Sequence, residues 1–274
     1  MQNFDVVIVG AGISGIGAAC HLQTQCPNKT FTILESRKQS GGTWDLFQYP
    51  GIRSDSDMHT LGFNFKPWTA AKSIADGPSI KSYLTETIAE HGLDQHIQHE
   101  HKVLSADWSS DDAAWTVTTE HRGETRQFCC NFLMMCSGYY NYDTPYTPDF
   151  KGQNDFRGSV IHPQHWPKDL DYKGKNVVVI GSGATAMTLV PAMADAAARV
   201  TLLQRSPTYV VARPDQDKIA NTLRKLLPNS VAYALTRFKN TQLQHFMYQR
   251  MRKEPQKMKK GLIGLVREAL GSDY

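Results

Sequence analysis

The chain has 274 residues, 41% of them hydrophobic and 20% charged, with a mean hydropathy of −0.43. This is globular composition. It excludes a disordered or collagen-like chain, and no apolar run reaches the roughly 20 residues of a membrane span. The net charge is only +4, but Asp215–Tyr274 holds twelve lysines and arginines against five aspartates and glutamates. That basic segment reads as a solvated helical face, and it leaves weak peripheral contact with a membrane surface open.

In chain order, "FDVVIVG" (4–10) is a β-branched run ending at glycine, as a strand covered on both faces in a parallel sheet reads. "ISGIGAACHLQTQ" follows as a helix that stops before Pro27, and "TFTILES" is a second buried strand. Residues 41–70 are rich in Gly, Pro and aromatics and are expected to form a long structured loop. "SIKSYLTETIAEHG" is a helix with a glycine stop. Residues 101–138 alternate around turn signals at Ser109–Asp112 and Arg122–Gly123. They predict antiparallel strands inserted into the parallel sheet, then a buried strand at Phe132–Cys136. After a polar segment, "NVVVIGSGATAMTLVPAMADA" and "RVTLLQRSP" (199–207) repeat strand, glycine turn, helix and strand. From about residue 219 the chain is helical and basic. The fold class expected is α/β, with two Rossmann-like dinucleotide-binding domains, an inserted antiparallel region and a helical C-terminal segment.

The first glycine turn places Gly10, Gly12 and Gly15 in G-x-G-x-x-G after a strand and before a helix, the context that gives the pattern meaning. Ser14 lies near the helix N-terminus, where phosphates bind. Glu35 stands twenty residues after Gly15, at the end of the next strand. An acid there accepts ribose hydroxyls and repels a 2′-phosphate. The second turn repeats the device at Gly181, Gly183 and Ala186, with Ser182, Ala184 and Thr185 between and beside them. Its strand ends in Arg205 and Ser206 instead of an acid, which suits a 2′-phosphate and predicts NADP(H) over NAD(H). Two units of opposite preference indicate FAD first and NADPH second.

The five cysteines, Cys20, Cys26, Cys129, Cys130 and Cys136, contain no C-x-x-C pair. They are read as reduced thiols of a cytoplasmic protein, and a disulfide-reducing flavoenzyme is excluded. The N-terminus shows no signal-peptide pattern. Gly41 and Gly42 let a loop approach the flavin, Thr43 can hydrogen-bond it and Trp44 can cover it. His91, His96, His99 and His101 match no metal template, and Asp55 with Asp57 lacks a third ligand, so no metal is expected. Nucleic-acid binding by the basic tail is remote.

Phe156, Gly158, His162, Trp166 and Pro167 fit F-x-G-x-x-x-H-x-x-x-W-P, lying between the two glycine motifs. The chain thereby resembles the type I Baeyer–Villiger flavin monooxygenases. "GGTWDLFQYPGIRSDSD" and "CSGYYNYD" resemble the ethionamide-activating branch. The resemblance implies an FAD domain over 1–145, a fingerprint linker over 146–173 and an NADP domain over 174–274. His162 and Trp166 would anchor the linker and set domain geometry rather than transfer protons. Asp55 would lie beside the flavin as a supporting residue. Ser14, Glu35, Gly42, Thr43, Trp44, Asp45, Leu46 and Val103 would contact FAD, the last by its backbone to adenine.

The activity implied is insertion of one oxygen atom of O2 into ketones, or onto sulfides and thioamides, through a C4a-peroxyflavin, with FAD and NADPH as cofactors. A flavin N- or S-hydroxylase is the alternative enzyme, although Trp166-Pro167 departs from its pattern. A catalytically inactive nucleotide-binding remnant is the alternative outside enzymes. Relatives run to nearly twice this length, which places their catalytic arginine beyond Tyr274, so the chain alone is expected to be inactive.

Overall fold

The computed structural model describes residues 1–206, 208–212 and 214–271. They form two compact units, one of residues 1–49 and 77–170, the other of 50–76 and 171–274.

In the first unit, β1 (Gln2–Val9), α1 (Ile13–Gln25) and β2 (Phe31–Leu34) follow one another. The one-turn helix α2 (Thr43–Leu46) comes next. After residue 76, α4 (Gly77–Glu90) leads into β3 (Ile97–Gln98), β4 (Lys102–Ser109), β5 (Ala114–His121) and β6 (Glu124–Met135). Helix α3 (Met58–Leu61) belongs to the other unit. The six strands make one mixed sheet, ordered β3-β2-β1-β6-β5-β4. β3, β2, β1 and β6 run parallel, whereas β6–β5 and β5–β4 are antiparallel.

The expected insertion of antiparallel strands into a parallel sheet is therefore present, built differently from the reading above. No separate strand begins at Phe132. One twelve-residue strand pairs His121–Trp115 with its first half and extends along β1 to Met135. Arg122 (φ 51°) and Gly123 (φ 84°) close the β5–β6 hairpin with His121 opposite Glu124. Positive φ at both central residues is the primed turn that matches strand twist. Nor is the end of β6 buried: Phe132 is 57% and Met135 60% exposed. A run of apolar residues marks a strand but does not say which of its faces is covered.

The core of this unit joins Val7, Val9 and Leu34 of the parallel strands to Val117, Phe128 and Cys130 of the antiparallel ones. The two parts of the sheet thus fold as one body. The segment expected to be a loop, 41–70, carries α2 and α3, each a single turn. Single turns of four residues are too short to give a periodicity to read.

In the second unit, β7 (Asn176–Ile180), α5 (Ala184–Ala194) and β8 (Arg199–Leu203) form a βαβ unit with parallel register Asn176–Arg199 to Ile180–Leu203. Pro207, where the expected strand closes, lies outside the described residues. Helices α6 (Lys218–Leu226), α7 (Asn229–Lys253) and α8 (Pro255–Leu270) follow. Asp57 caps α3 through the Thr60 N–H (3.1 Å) and accepts from Asn240 Nδ2 (2.9 Å) and Gln244 Nε2 (3.2 Å) of α7. Arg237 Nη1 donates to the His59 and Thr60 carbonyls at 3.0 and 3.3 Å. The 50–76 segment is therefore held to the basic helices by side-chain hydrogen bonds. Among the described residues no helix is long and apolar enough to cross a membrane.

Candidate functional site: two glycine turns

The first glycine turn leaves β1 at Gly10, whose φ of 104° is open to glycine. The Gly10 N–H donates to the Leu34 carbonyl at 2.8 Å, and Cys136 N–H donates to Val9 O at 2.8 Å. A side chain at Gly10 would meet the Cys136 carbonyl at 2.5 Å, and one at Gly15 would drive into the Gly10 carbonyl. The turn is thus wedged between β6 and the first turn of α1. Gly12 is the N-cap of α1 and no side chain caps the helix. The N–H groups of its first turn and its dipole are the elements of an anion site.

A second loop closes over this turn. The Gly41 N–H donates to the Ala11 carbonyl at 2.9 Å, and Gly42 (φ 54°) would bring a Cβ 3.0 Å from Gly12 Cα. It is Gly42 that must lack a side chain, since one there would crowd the Gly12 backbone from a left-handed conformation. Thr43, Trp44, Asp45 and Leu46 then form α2 beside that contact.

Glu35 is buried, 5% exposed. Its Oε2 accepts the Ala11 N–H at 2.8 Å and its Oε1 the Arg37 N–H at 2.9 Å. The Ser36 hydroxyl also donates to Oε1 at 3.4 Å. The acid expected to receive ribose hydroxyls thus also fixes the glycine turn. Asp45, expected as an FAD contact, is buried in an ion-paired network. Lys81 Nζ lies 2.6 Å from Oδ1, and the Arg37 guanidinium pairs with Oδ2. Arg37 Nη1 also donates to the Gly42 carbonyl at 3.1 Å. Val103, at the start of β4, is half-buried beside the core. Ser14 is exposed on the first turn of α1. Asp55 is exposed in a bend of the second unit.

The second turn repeats the first. The Gly181 N–H donates to Leu203 O at 2.9 Å, matching Gly10 on Leu34, and Met187 N–H donates to Gly183 O at 3.1 Å. Gly183 is an N-cap without a side-chain cap. No atom would meet a side chain added at Gly181 or Gly183 within 4 Å. Ser182 and Thr185 are half-buried, Ala184 is exposed and Ala186 is buried in the first turn of α5. Arg205 and Ser206 are exposed just beyond β8.

The fingerprint segment belongs to the first unit. His162 Nδ1 accepts the Gln164 N–H at 3.2 Å, capping a 3-10 turn over Pro163–His165. Burial, and then the nearby His165, hold its pKa below the ordinary value. Trp166 is half-buried. Sequence reasoning missed Arg37, Lys81, Tyr142 and Gln164. Arg37 carried a signal in its place two residues after Glu35. Gln164 carried none, because the fingerprint leaves its position unspecified. Of the histidines, His101 stacks on His121 at 4.2 Å, and no group of three or more metal-ligating side chains occurs among the described residues.

Comparison with known proteins agrees with this arrangement. Residues 8–76 match the NAD(P)-binding Rossmann-like domain family, and residues 73–266 match the flavin-binding monooxygenase-like family. The chain is 56% identical over its whole length to the FAD-containing monooxygenase EthA of Mycobacterium tuberculosis, covering 56% of that protein. It spans about half the length of the curated relatives it matches. Among solved structures, 85% of the chain superposes on 43% of an oxidized steroid monooxygenase bound to NADP, with a TM-score of 0.72 and 30% identity. An equal share superposes on 45% of an ε-caprolactone-bound cyclohexanone monooxygenase, with a TM-score of 0.74 and 26% identity. With a family match over most of its length and the fingerprint between its two glycine turns, the chain belongs to the flavin-binding monooxygenase-like family, in its type I Baeyer–Villiger branch.

Proposed function

We propose that the chain binds FAD at the first glycine turn and NADPH at the second, as part of a monooxygenase that acts on ketones or on sulfides and thioamides. The observation that carries this reading is the pair of uncapped helix N-termini, each preceded by a positive-φ glycine whose N–H is tied to the next strand. The residues fit such cofactors. Gly10 and Gly15 let the turn pack tightly on the sheet and on α1, and Gly12 keeps the helix N-terminus free of a side chain, so that a phosphate can reach backbone N–H groups. Glu35 stands at the strand end from which this fold recognises a ribose. Arg205 and Ser206 offer a fork of donors to a 2′-phosphate.

When bound, NADPH supplies hydride and FAD supplies the redox and oxygen-activating chemistry. The chain's own work is to hold and orient them. Gly12 and Gly42 set how closely the two loops approach, and Arg37, Asp45 and Lys81 brace the second loop. Thr43 presents a hydroxyl and Trp44 an indole from α2, and Val103 offers its backbone. His162 shapes the linker turn, and Trp166 anchors it. Asp55 is the flavin-side carboxylate in this reading. All five cysteines are free thiols, which suits the cytoplasm. Contact with a membrane, if made, falls to the basic helices.

Titration of the purified chain with FAD, followed by flavin fluorescence, tests the first half of this reading. Titration with NADPH and NADH tests the second. Addition of NADPH with a ketone or a sulfide to a version of the relatives' full length, with product mass measured, tests the reaction, since the chain alone is expected to be inactive. A chain that binds neither nucleotide overturns the proposal.

A further inference from the structure

The fingerprint segment contains a buried polar side chain that its pattern does not call for. Gln164 stands between His162 and Trp166 and is 4% exposed, while its neighbours are half-buried or exposed. A buried amide is costly unless its donors are used. Gln164 Nε2 donates to the Asn141 carbonyl at 2.7 Å and to the Tyr142 carbonyl at 3.3 Å. Those carbonyls lie in a stretch without helix or strand. Side chains therefore set its shape, and Asn141 Oδ1 continues the job by accepting the Asp143 and Thr144 N–H groups at 3.0 and 3.1 Å.

The other side of this loop faces the flavin-side residues. The charges of Glu35 and Arg37 act on the Tyr142 phenol. Burial first, and Glu35 next, push its pKa up. The Tyr140 ring stands edge-on to Phe47 at 5.0 Å, just past the end of α2. The loop is thus gripped by the fingerprint segment on one side and leans on Phe47, just past α2, on the other. His162 does not reach across. It caps the turn that aims Gln164.

We propose that Gln164 is the positioning residue through which the fingerprint segment sets the 139–142 loop against the flavin-side loop, with Tyr140 on Phe47 as the contact end. Movement of the segment then pulls the two carbonyls, and with them Tyr140 on Phe47. The coupling to cofactor rests on the FAD reading of the first glycine turn; the contact itself does not.

The test uses the intact chain, with hydrogen–deuterium exchange read by mass spectrometry and FAD as the probe. Gln164→Glu keeps size but loses the donors, and Gln164→Met removes polarity altogether. Both are expected to raise exchange over residues 139–145 about tenfold, the loss of roughly one buried hydrogen bond, while β1 and α1 keep wild-type protection. In wild type, FAD is expected to slow exchange at Gln164–Trp166. That effect is lost in both variants and reduced in Tyr140→Ala, a response that mere structural support would not produce. Wild-type exchange at 139–145 in Gln164→Glu overturns the proposal, as does FAD-induced protection of Gln164–Trp166 that survives in it. If wild type binds no FAD, the flavin reading fails, and the exchange at 139–145 still decides whether Gln164 holds the loop.

Discussion

Glu35 Oε2 accepts the Ala11 N–H at 2.8 Å, so the acid at the end of β2 holds the middle of the first glycine turn. The second carboxylate oxygen accepts the Arg37 N–H. Glu35→Gln turns one of these acceptors into an NH2 that faces a backbone donor. The expected loss is about 1–3 kcal/mol of stability, the cost of leaving a buried donor unpaired. Urea titration of the two proteins measures it. An unchanged midpoint would mean that the ribose-type acid has no structural share in the turn.

The glycines of that turn separate folding from binding. A Cβ at Gly15 drives into the Gly10 carbonyl, so Gly15→Ala is expected to unfold the chain or displace α1. A Cβ at Gly12 meets Gly42 Cα at 3.6 Å, ordinary contact. Gly12→Ala is therefore expected to keep the wild-type circular dichroism spectrum and lose FAD affinity by about tenfold or more, because the methyl stands where phosphate must approach. Equal FAD binding by Gly12→Ala and wild type would place the cofactor elsewhere.

Much of this was readable in advance because strand, turn and helix are local. Both βαβ units, the two turns and Glu35 follow from spacing alone. What stayed hidden depends on partners far apart in sequence. Asp45 reads as one acid in an aromatic loop, and only folding brings Lys81 of α4 to it, 36 positions later. Gln164 sits 22 positions from Tyr142, at a place the fingerprint leaves free. The apolar run at the end of β6 announced a strand but not its exposed face, since coverage is set by what packs above it.

Asp45 is expected to act through its cations. Its side chain is 6% exposed and pairs with Arg37 and Lys81, whose own side chains are 24% and 36% exposed. Asp45→Asn leaves two positive charges facing each other. A fully buried pair broken this way costs about 3–5 kcal/mol, and partial access of the cations to water lowers the expectation to about 1–3 kcal/mol. Adding Lys81→Met is expected to recover part of that loss. Additive losses in thermal melts of the two single variants and the double would show that Asp45 and Lys81 do not act together.

Arg205 bears on which nicotinamide nucleotide the second turn prefers. It is exposed beyond β8, where an acid would recognise a ribose hydroxyl. Arg205→Ala is expected to weaken NADPH binding by about 1.5–3 kcal/mol, the loss of a charge-assisted hydrogen bond, with little change for NADH. Isothermal titration with both nucleotides distinguishes this from equal losses, which would make Arg205 a general phosphate contact.

Acid should loosen the fold before its carboxylates titrate. His59, His101 and His162 each have a pKa below the ordinary 6.5, in every case chiefly because burial penalises the imidazolium. His101 also has His121 stacked on it and Arg126 nearby, both of which oppose a second positive charge. In the unfolded chain all three return to about 6.5 and bind protons that the folded chain refuses. Stability is therefore complete above pH 6.5 and is lost as pH falls through the folded values. The carboxylates with lowered pKa, Asp5, Glu100 and Asp217, contribute their own loss only below their ordinary values of 3.8 and 4.5. Between pH 7 and pH 5 the histidines set the slope. The urea midpoint is expected to drop over that range, and His59→Gln to flatten the drop. A midpoint that stays constant from pH 7 to pH 5 would show that these imidazoles take up protons without cost, and so are not buried as the fold places them.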